Sequence, residues 1–284
     1  MAAEIARLRP TSISTMHRSF SAVARGRARL RRSSLFVPAG RMDKFLPKAL
    51  ASSADSIILD LEDSVAARDK DDARRAVGAW LASRPDVGGK EVVVRVNGAA
   101  AIEDLAAVLG EGAWPDALMV PKVASAACLE GFDALVRACE ANAGRAAGEG
   151  VGVVAIATEV PAGALNLPAI AAGPRVVAAT WGAEDIAVEL GSTRKYVETD
   201  GVKSYAPLFE HLRIQTLLAC KAAGVQALDG VYTDVRDAAG LRAEAGDAAA
   251  MGFDGKMCLH PDQLAPTHAA FAVPAAARAR AARV

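Results

Sequence analysis

Two carboxylates in the sequence are placed as ligands of a hard divalent cation would be. Glu159 and Asp185 each follow a short apolar run, and the two runs are consecutive along the chain. Magnesium is bound in proteins through few carboxylates, and water or substrate oxygens complete its coordination shell. The pair therefore predicts a Mg²⁺ site with open positions.

A short segment and an arginine add groups that bind anions. Gly182, Ala183 and Glu184 directly precede Asp185, and their backbone N–H groups are expected to hold a substrate carboxylate beside the metal. Arg95 ends another apolar run, and a buried guanidinium facing an acidic pocket can neutralise a developing enolate or clamp a carboxylate. Strand-end arginines also form structural ion pairs, so both interpretations of Arg95 stay open.

The pattern of the whole chain predicts the elements that would position these residues. Short apolar runs alternate with Ala- and Leu-rich segments of helical period, which indicates an α/β protein with a parallel sheet and crossover helices. Eight such units predict a single-domain (β/α)8 TIM barrel. The predicted strands are 34–38, 56–60, 91–96, 117–121, 151–158, 175–181, 225–232 and 256–260. The main predicted helices are 69–82, 125–143, 203–223 and 234–251, the last opened by Asp234 and Asp237 in a capping-box pattern.

Titratable and amide side chains lie at the carboxyl ends of these runs, the face of such a barrel that carries active sites. They are Asp60, Glu62, Asp63, Arg95, Asn97, Lys122, Glu159, Glu184, Asp185, Asp229 and His260. The set predicts an acidic pocket with one or two basic groups. Within it, Asp60 and Glu62 are expected to orient Arg95 or metal-bound water without binding the metal; surface solvation is the alternative for Glu62.

Two residues of this set could have a catalytic role, but each also has a simpler structural interpretation. Lys122 could form a Schiff base, but a lysine among acids more often makes an ion pair, and metal ligands make an imine redundant. His260 could carry protons, but a single histidine before a proline is more often a packed loop residue.

Composition excludes several classes of protein. No apolar run in the 284 residues is long enough to span a bilayer. Without the Arg-rich segments 1–32 and 274–284, the chain carries 22 basic and 32 acidic groups, which argues against nucleic-acid binding. The four cysteines form no C-x-x-C pair and are expected to be reduced thiols. The histidines form no cluster, so a zinc site is not expected.

The basic ends are expected to lie outside the barrel. Segment 1–30 has the composition of a disordered or targeting-like tail, 31–273 is the predicted catalytic barrel, and 274–284 is an Ala- and Arg-rich tail. A cytoplasmic location follows if the first segment is not an import signal.

Several motifs in order resemble the citrate lyase beta-subunit-like family within the HpcH/HpaI aldolase superfamily. They are RSSLFVPA from 32, LDLEDSV from 59, VRVN from 94, MVPK from 119, TE from 158, WGAED from 181, GFDGK from 252 and LHP from 259. The resemblance implies a Mg²⁺-dependent barrel, usually a homotrimer, that makes or breaks a C–C bond between a 2-oxo acid and an acyl-CoA enolate. The family's metal ligands correspond to Glu159, which also borders the substrate, and Asp185; its substrate-contacting arginine corresponds to Arg95.

The leading hypothesis is a lyase or aldolase acting on a 3-hydroxyacyl-CoA of the citryl, malyl or citramalyl type. Hydrolysis of the CoA thioester on the same metal site, or an oxo-acid-binding barrel without turnover, are the alternatives. Many lyases of the family have a C-terminal lid with an acidic proton-transfer residue; the sequence carries no acidic residue after Asp262, which predicts a short or absent lid.

Overall fold

A computed structural model describes residues 29–83, 85–98, 101–110, 114–145, 150–199 and 202–272. The predicted tails, up to residue 28 and from residue 274, lie outside the described residues. Among the described helices, none is both long and apolar enough to cross a membrane.

Eight parallel strands close into a barrel, which confirms the predicted fold. They are β1 (Ser33–Pro38), β2 (Ser56–Asp60), β3 (Glu91–Arg95), β4 (Ala117–Val120), β5 (Gly152–Ile156), β6 (Val176–Thr180), β9 (Gln226–Asp229) and β10 (Gly255–Cys258). The barrel closes because β1 pairs with β10 on one side and with β2 on the other. The eight predicted strands correspond to these eight in order.

The helices lie between the strands along the chain. They are α1 (Met42–Ala51), α2 (Lys70–Ala82), α3 (Ile102–Val108), α4 (Ala126–Asn142), α5 (Pro161–Leu165), α6 (Leu167–Ala171), α7 (Ala183–Glu189), α8 (Pro207–Ala223), α9 (Ala238–Met251) and α10 (Leu264–Ala270). Short 3₁₀ helices cover Ala39–Arg41, Ala67–Asp69 and Pro261–Gln263.

Side chains alternate between the inner and outer faces of each strand, and this alternation separates two apolar cores. The barrel interior is filled by a small cluster that includes Ile58, Val93 and Met257, and a larger cluster packs the outer strand faces against the helices. Side chains two residues apart on a strand share a face. Asp60 therefore lies on the same face as Ile58, and Arg95 on the same face as Val93, so both point into the mouth of the barrel.

The predicted helix 203–223 begins too early. Residues Val202–Tyr205 form strand β8, which pairs antiparallel with β7 (Tyr196–Thr199). Tyr196 and Tyr205 stack at 4.9 Å between ring centroids, and helix α8 begins only at Pro207. β-branched and aromatic side chains favour the pleated strand, and proline suits the first position of a helix.

The predicted capping box at Asp234 is also wrong. Helix α9 begins at Ala238, and Asp237 is its N-cap, since the Asp237 side chain accepts a hydrogen bond from the backbone N–H of Gly240. The Asp237 carboxylate also accepts a 2.6 Å hydrogen bond from the Tyr232 hydroxyl, a partner that sequence spacing does not reveal.

Candidate active site

Asp60 fixes the orientation of Arg95. Arg95 Nε and Nη2 each donate a 2.7 Å hydrogen bond to a different oxygen of Asp60, which lies directly opposite in the pairing of β2 and β3. The Asp60 carboxylate also accepts the backbone N–H groups of Glu62 and Ser64. Burial raises the pKa of Asp60, but hydrogen bonds from Arg95 and its charge outweigh that effect and lower it. The pair is therefore an ionised, bidentate contact.

Glu62 lies between two cations. One Glu62 oxygen is 3.0 Å from Arg95 Nη1, and the other accepts a 2.7 Å hydrogen bond from Lys122 Nζ. The oxygen facing Arg95 is buried and has no well-aligned donor among the described residues, although the ion pair is short. Burial raises the pKa of Glu62. Lys70 Nζ donates 2.6 Å hydrogen bonds to the backbone oxygens of Leu61 and Glu62, which fixes this loop.

Lys122 contacts both predicted metal ligands. Its backbone N–H donates a 2.8 Å hydrogen bond to Glu159 Oε2, and its ammonium lies 3.7 Å from Asp185 Oδ1. Lys122 has a left-handed φ of 54°, a conformation that is strained for a side chain of this size and is typical of functional sites. The structure thus places Glu159 and Asp185 around one residue at the barrel mouth.

The charge of this cluster suits a divalent cation. Glu159 is only 4% exposed. Burial, together with the negative charge of Asp185, raises the pKa of Glu159 to about 8, against the opposing hydrogen bond from Lys122. A cation would supply the missing positive charge. No three His, Cys, Asp or Glu side chains form a complete metal-binding group in the part of the chain that the structure describes. The remaining ligands would be water or substrate oxygens, as is usual for Mg²⁺.

The segment that was expected to bind a substrate carboxylate is only partly available. The N–H of Gly182 donates a 3.0 Å hydrogen bond to Thr158 Oγ1, so that amide is already used. The Glu184 carboxylate forms an ion pair with Lys195. Ala183 and Glu184 begin α7, where backbone N–H groups have no partner within the helix. The amide of Gly182 is therefore already hydrogen-bonded, and the role of Gly182, Ala183 and Glu184 in binding the substrate stays a prediction.

Gly182 lies against Glu159, so we expect Gly182→Ala to disturb the metal site. A Cβ at this position would lie 2.8 Å from Glu159 Cγ, while φ of −123° allows any residue. The variant should fold, because the clash is with a side chain that can turn, but should bind Mn²⁺ about tenfold more weakly. Titration of free Mn²⁺ by electron paramagnetic resonance measures this. Gly246→Ala, where an added Cβ meets nothing within 4 Å, is the control and should bind as the wild type does; equal affinity in both variants would contradict the steric assignment.

The simpler interpretations of Lys122 and His260 fit the structure. Lys122 forms ion pairs with Glu62 and Asp185. Burial lowers the pKa of Lys122, but the hydrogen bond and charge of Glu62 outweigh burial and raise it, which favours the protonated amine of an ion pair. His260 Nδ1 accepts the backbone N–H of Asp262 and caps the short 3₁₀ helix that follows.

One residue of the predicted pocket lies elsewhere, and two residues near Arg95 and the Glu62 loop were not predicted. Asp229 does not line the mouth: it is fully buried against Lys256 and Arg213. Phe36, whose ring lies 5.0 Å from the guanidinium carbon of Arg95, was not identified, nor was the loop-holding contact of Lys70. Only the position of Phe36 on the strand next to Asp60 could have suggested it.

Sequence comparison finds relatives that are similar to most of this chain. A (3S)-malyl-CoA thioesterase from Cereibacter sphaeroides is 38% identical over 251 residues, covering 84% of this chain and 76% of the relative. An L-malyl-CoA/beta-methylmalyl-CoA lyase from Rhodobacter capsulatus is 36% identical over 268 residues, covering 89% and 83%.

Solved structures show the same barrel. Protein CitE from Mycobacterium tuberculosis, in complex with magnesium, acetoacetate and coenzyme A, matches with a TM-score of 0.71 at 34% identity, covering 89% of this chain and 85% of that one. The citrate lyase beta subunit complexed with oxaloacetate and magnesium, from the same organism, matches with a TM-score of 0.69 at 36% identity, covering 85% and 97%. The sequence model of one family, described as HpcH/HpaI aldolase/citrate lyase, matches residues 32–261. The chain belongs to the HpcH/HpaI aldolase/citrate lyase family.

Proposed function

We propose that this chain is a Mg²⁺-dependent carbon–carbon lyase. Its substrate would be a 3-hydroxyacyl-CoA of the citryl, malyl or citramalyl type, cleaved into an acyl-CoA and a 2-oxo acid or formed from them. The observation that carries the proposal is the gathering of Glu159 and Asp185 around Lys122, near the buried guanidinium of Arg95. Relatives named as malyl-CoA lyase, and structures containing magnesium with oxaloacetate or coenzyme A, support it.

Glu159 and Asp185 would hold the cation. A Mg²⁺ ion held by these residues would supply a Lewis acid for the carbonyl of the oxo acid and a template for its carboxylate. The backbone N–H of Lys122 keeps one oxygen of Glu159 in place, which limits the rotation of a ligand that would otherwise have several rotamers. The N–H groups of Ala183 and Glu184 would bind the substrate carboxylate.

Arg95 would stabilise the enolate. In cleavage a base takes the proton of the 3-hydroxyl, whose oxygen becomes the carbonyl of the oxo acid as the bond between the α and β carbons breaks. The electron pair of that bond moves to the thioester oxygen as an enolate, which is then protonated at the α carbon to give the acyl-CoA. Arg95 Nη1 has the longest contacts of the guanidinium, 3.0 Å to Glu62 and 3.3 Å to Asp63. A substrate oxygen can replace either contact while Asp60 retains the other two nitrogens, so the donor is oriented before charge develops.

Thioester hydrolysis is the second candidate function. A relative that is 38% identical is named a (3S)-malyl-CoA thioesterase, and the same site could polarise a thioester for attack by water. The two reactions differ in which bond breaks, C–C or C–S.

Product analysis separates the candidates. Malyl-, citramalyl- and citryl-CoA are each mixed with the protein and Mg²⁺ and followed by mass spectrometry, with a chelator as the control. A lyase gives a shorter acyl-CoA and a 2-oxo acid; a thioesterase gives free CoA and the intact hydroxy acid. If neither appears with any substrate, the enzyme proposal fails and an oxo-acid-binding barrel remains.

We also propose a homotrimer in the cytoplasm, with residues 31–273 as the catalytic domain. Apolar side chains on α7 and α8 are exposed, for example Val188 at 81% and Leu218 at 58%, and burial between subunits would remove them from water. Light scattering tests the trimer, and N-terminal sequencing of the native protein tests whether segment 1–30 is removed.

A further inference from the structure

A second group of charged side chains lies outside the barrel interior, between β9, β10 and the helices around them. Lys256 and Asp229 are 0% exposed. Lys256 Nζ donates to Asp229 Oδ2 at 2.8 Å, to the backbone oxygen of Gly230 at 2.8 Å and to Glu244 Oε1 at 2.7 Å. Arg213 Nε donates to the other Asp229 oxygen at 3.1 Å. The proposed reaction uses none of these residues.

Stability alone is a poor explanation for this group. Moving charged side chains out of water carries a desolvation cost, and the attraction between the charges seldom exceeds that cost by much. Apolar side chains of similar volume often stabilise a core as well or better. Buried, fully hydrogen-bonded polar groups do fix one arrangement of their neighbours. The side chains next to Asp229 and Lys256 therefore indicate which part of the structure this charged group keeps in place.

Asp229 holds the indole of Trp181. Trp181 Nε1 donates a 2.8 Å hydrogen bond to Asp229 Oδ1, and Trp181 is only 2% exposed. The Trp181 ring meets Tyr205 edge to face at 4.9 Å between centroids. Gly230 lies close to another side of the indole, since a Cβ added at Gly230 would lie 3.3 Å from the indole nitrogen. The indole is thus confined on two sides and oriented by one hydrogen bond.

Trp181 begins the segment that carries half of the proposed metal site. The next residue, Gly182, is bonded to Thr158 and lies against Glu159, and Asp185 is in the first turn of α7. A shift of Trp181 would therefore move Asp185 relative to Glu159.

We propose that Lys256 and Asp229 are positioning residues of the metal site, acting through the Trp181 indole on the segment 182–185. The inference rests on the proposed function, because it takes Glu159 and Asp185 as the metal ligands. Neither Lys256 nor Asp229 contacts the metal or the substrate.

Trp181→Phe tests this most cleanly, because it removes the N–H donor and keeps an aromatic ring beside Tyr205. We expect Mn²⁺ to bind about tenfold more weakly, measured by electron paramagnetic resonance at a temperature where the protein is fully folded. Lys256→Met should shift the affinity in the same direction. Two matched controls should bind as the wild type does: Trp114→Phe, whose indole bonds to the backbone oxygen of Gly110, and Lys221→Met, whose ammonium pairs with Asp254 at 2.8 Å.

A purely structural network gives a different result. If Trp181→Phe lowers the thermal midpoint but binds Mn²⁺ with wild-type affinity when folded, the positioning role is overturned; should Lys256→Met fail to fold, Trp181→Phe decides alone. The variant Asp185→Asn, which changes a proposed metal ligand, separates failure of this inference from failure of the proposed function. Loss of binding in Asp185→Asn with full binding in Trp181→Phe overturns only this inference, whereas a wild-type protein that does not bind Mn²⁺ overturns the proposed function and this inference with it.

Discussion

Glu159→Gln should lose nearly all Mg²⁺-dependent turnover while the protein stays folded. The amide keeps the size of the side chain and can still accept the N–H of Lys122, but it carries no charge for the cation. Charge stabilisation by a bound metal contributes several kcal/mol to the transition state, and each ~1.4 kcal/mol is tenfold in rate. We therefore expect kcat to fall by at least about a hundredfold, measured by coupled detection of the 2-oxo acid.

The same variant should change how metal-free stability depends on pH. Because burial beside Asp185 raises the pKa of Glu159 from 4.5 to about 8, the folded state holds a proton there that the unfolded chain has lost. Stability is thus reduced as pH rises from about 4.5 to 8 in the wild type, and Gln removes that decline. Glu130→Gln on the exposed surface is the control.

Unchanged turnover in Glu159→Gln would refute the role of Glu159 as a metal ligand.

Arg95→Lys should lower kcat by about a hundredfold to a thousandfold and leave Mn²⁺ affinity close to that of the wild type. Lysine keeps the positive charge next to Asp60 but cannot bond both Asp60 oxygens and still present a third nitrogen to a substrate. Loss of one oriented oxyanion donor has an effect of this size. Steady-state kinetics and the Mn²⁺ titration separate the two quantities.

The control for Arg95 is Arg75→Lys, a surface arginine of α2 that pairs with Asp72. If Arg95→Lys kept wild-type kcat, Arg95 would be only the structural partner of Asp60, the alternative that the sequence leaves open. A variant that lacks charge, such as Arg95→Met, is less informative, because it strands the buried Asp60 carboxylate and destabilises the fold by about 3–5 kcal/mol.

Features that follow from the regular order of the barrel strands could be predicted from the sequence. The barrel follows from regular apolar runs that are buried on both faces, and the contact of Asp60 with Arg95 follows once β2 and β3 are neighbours in register. Lys203 to Tyr205 could not be assigned in this way. A short segment of mixed propensity becomes a strand only because β7 is available to pair with it.

Contacts between distant loops could not be predicted. The backbone of Lys122 bonds to Glu159, and the Gly182 amide bonds to Thr158 instead of being free for a substrate. The contact of Asp229 with Lys256 is of the other kind, because the two residues are register partners on the neighbouring strands β9 and β10. Strand-end position alone places Asp229 with the active-site acids, although its side chain faces the helix layer.

A crystal of the protein soaked with Mn²⁺ and oxaloacetate tests the metal site most directly. We predict an anomalous peak within bonding distance of a carboxylate oxygen of Glu159 and one of Asp185, with two oxygens of the oxo acid and water in the remaining positions and Arg95 facing the substrate. A peak bonded to other residues, or oxaloacetate bound with no ion between these two carboxylates, would contradict the proposed lyase site.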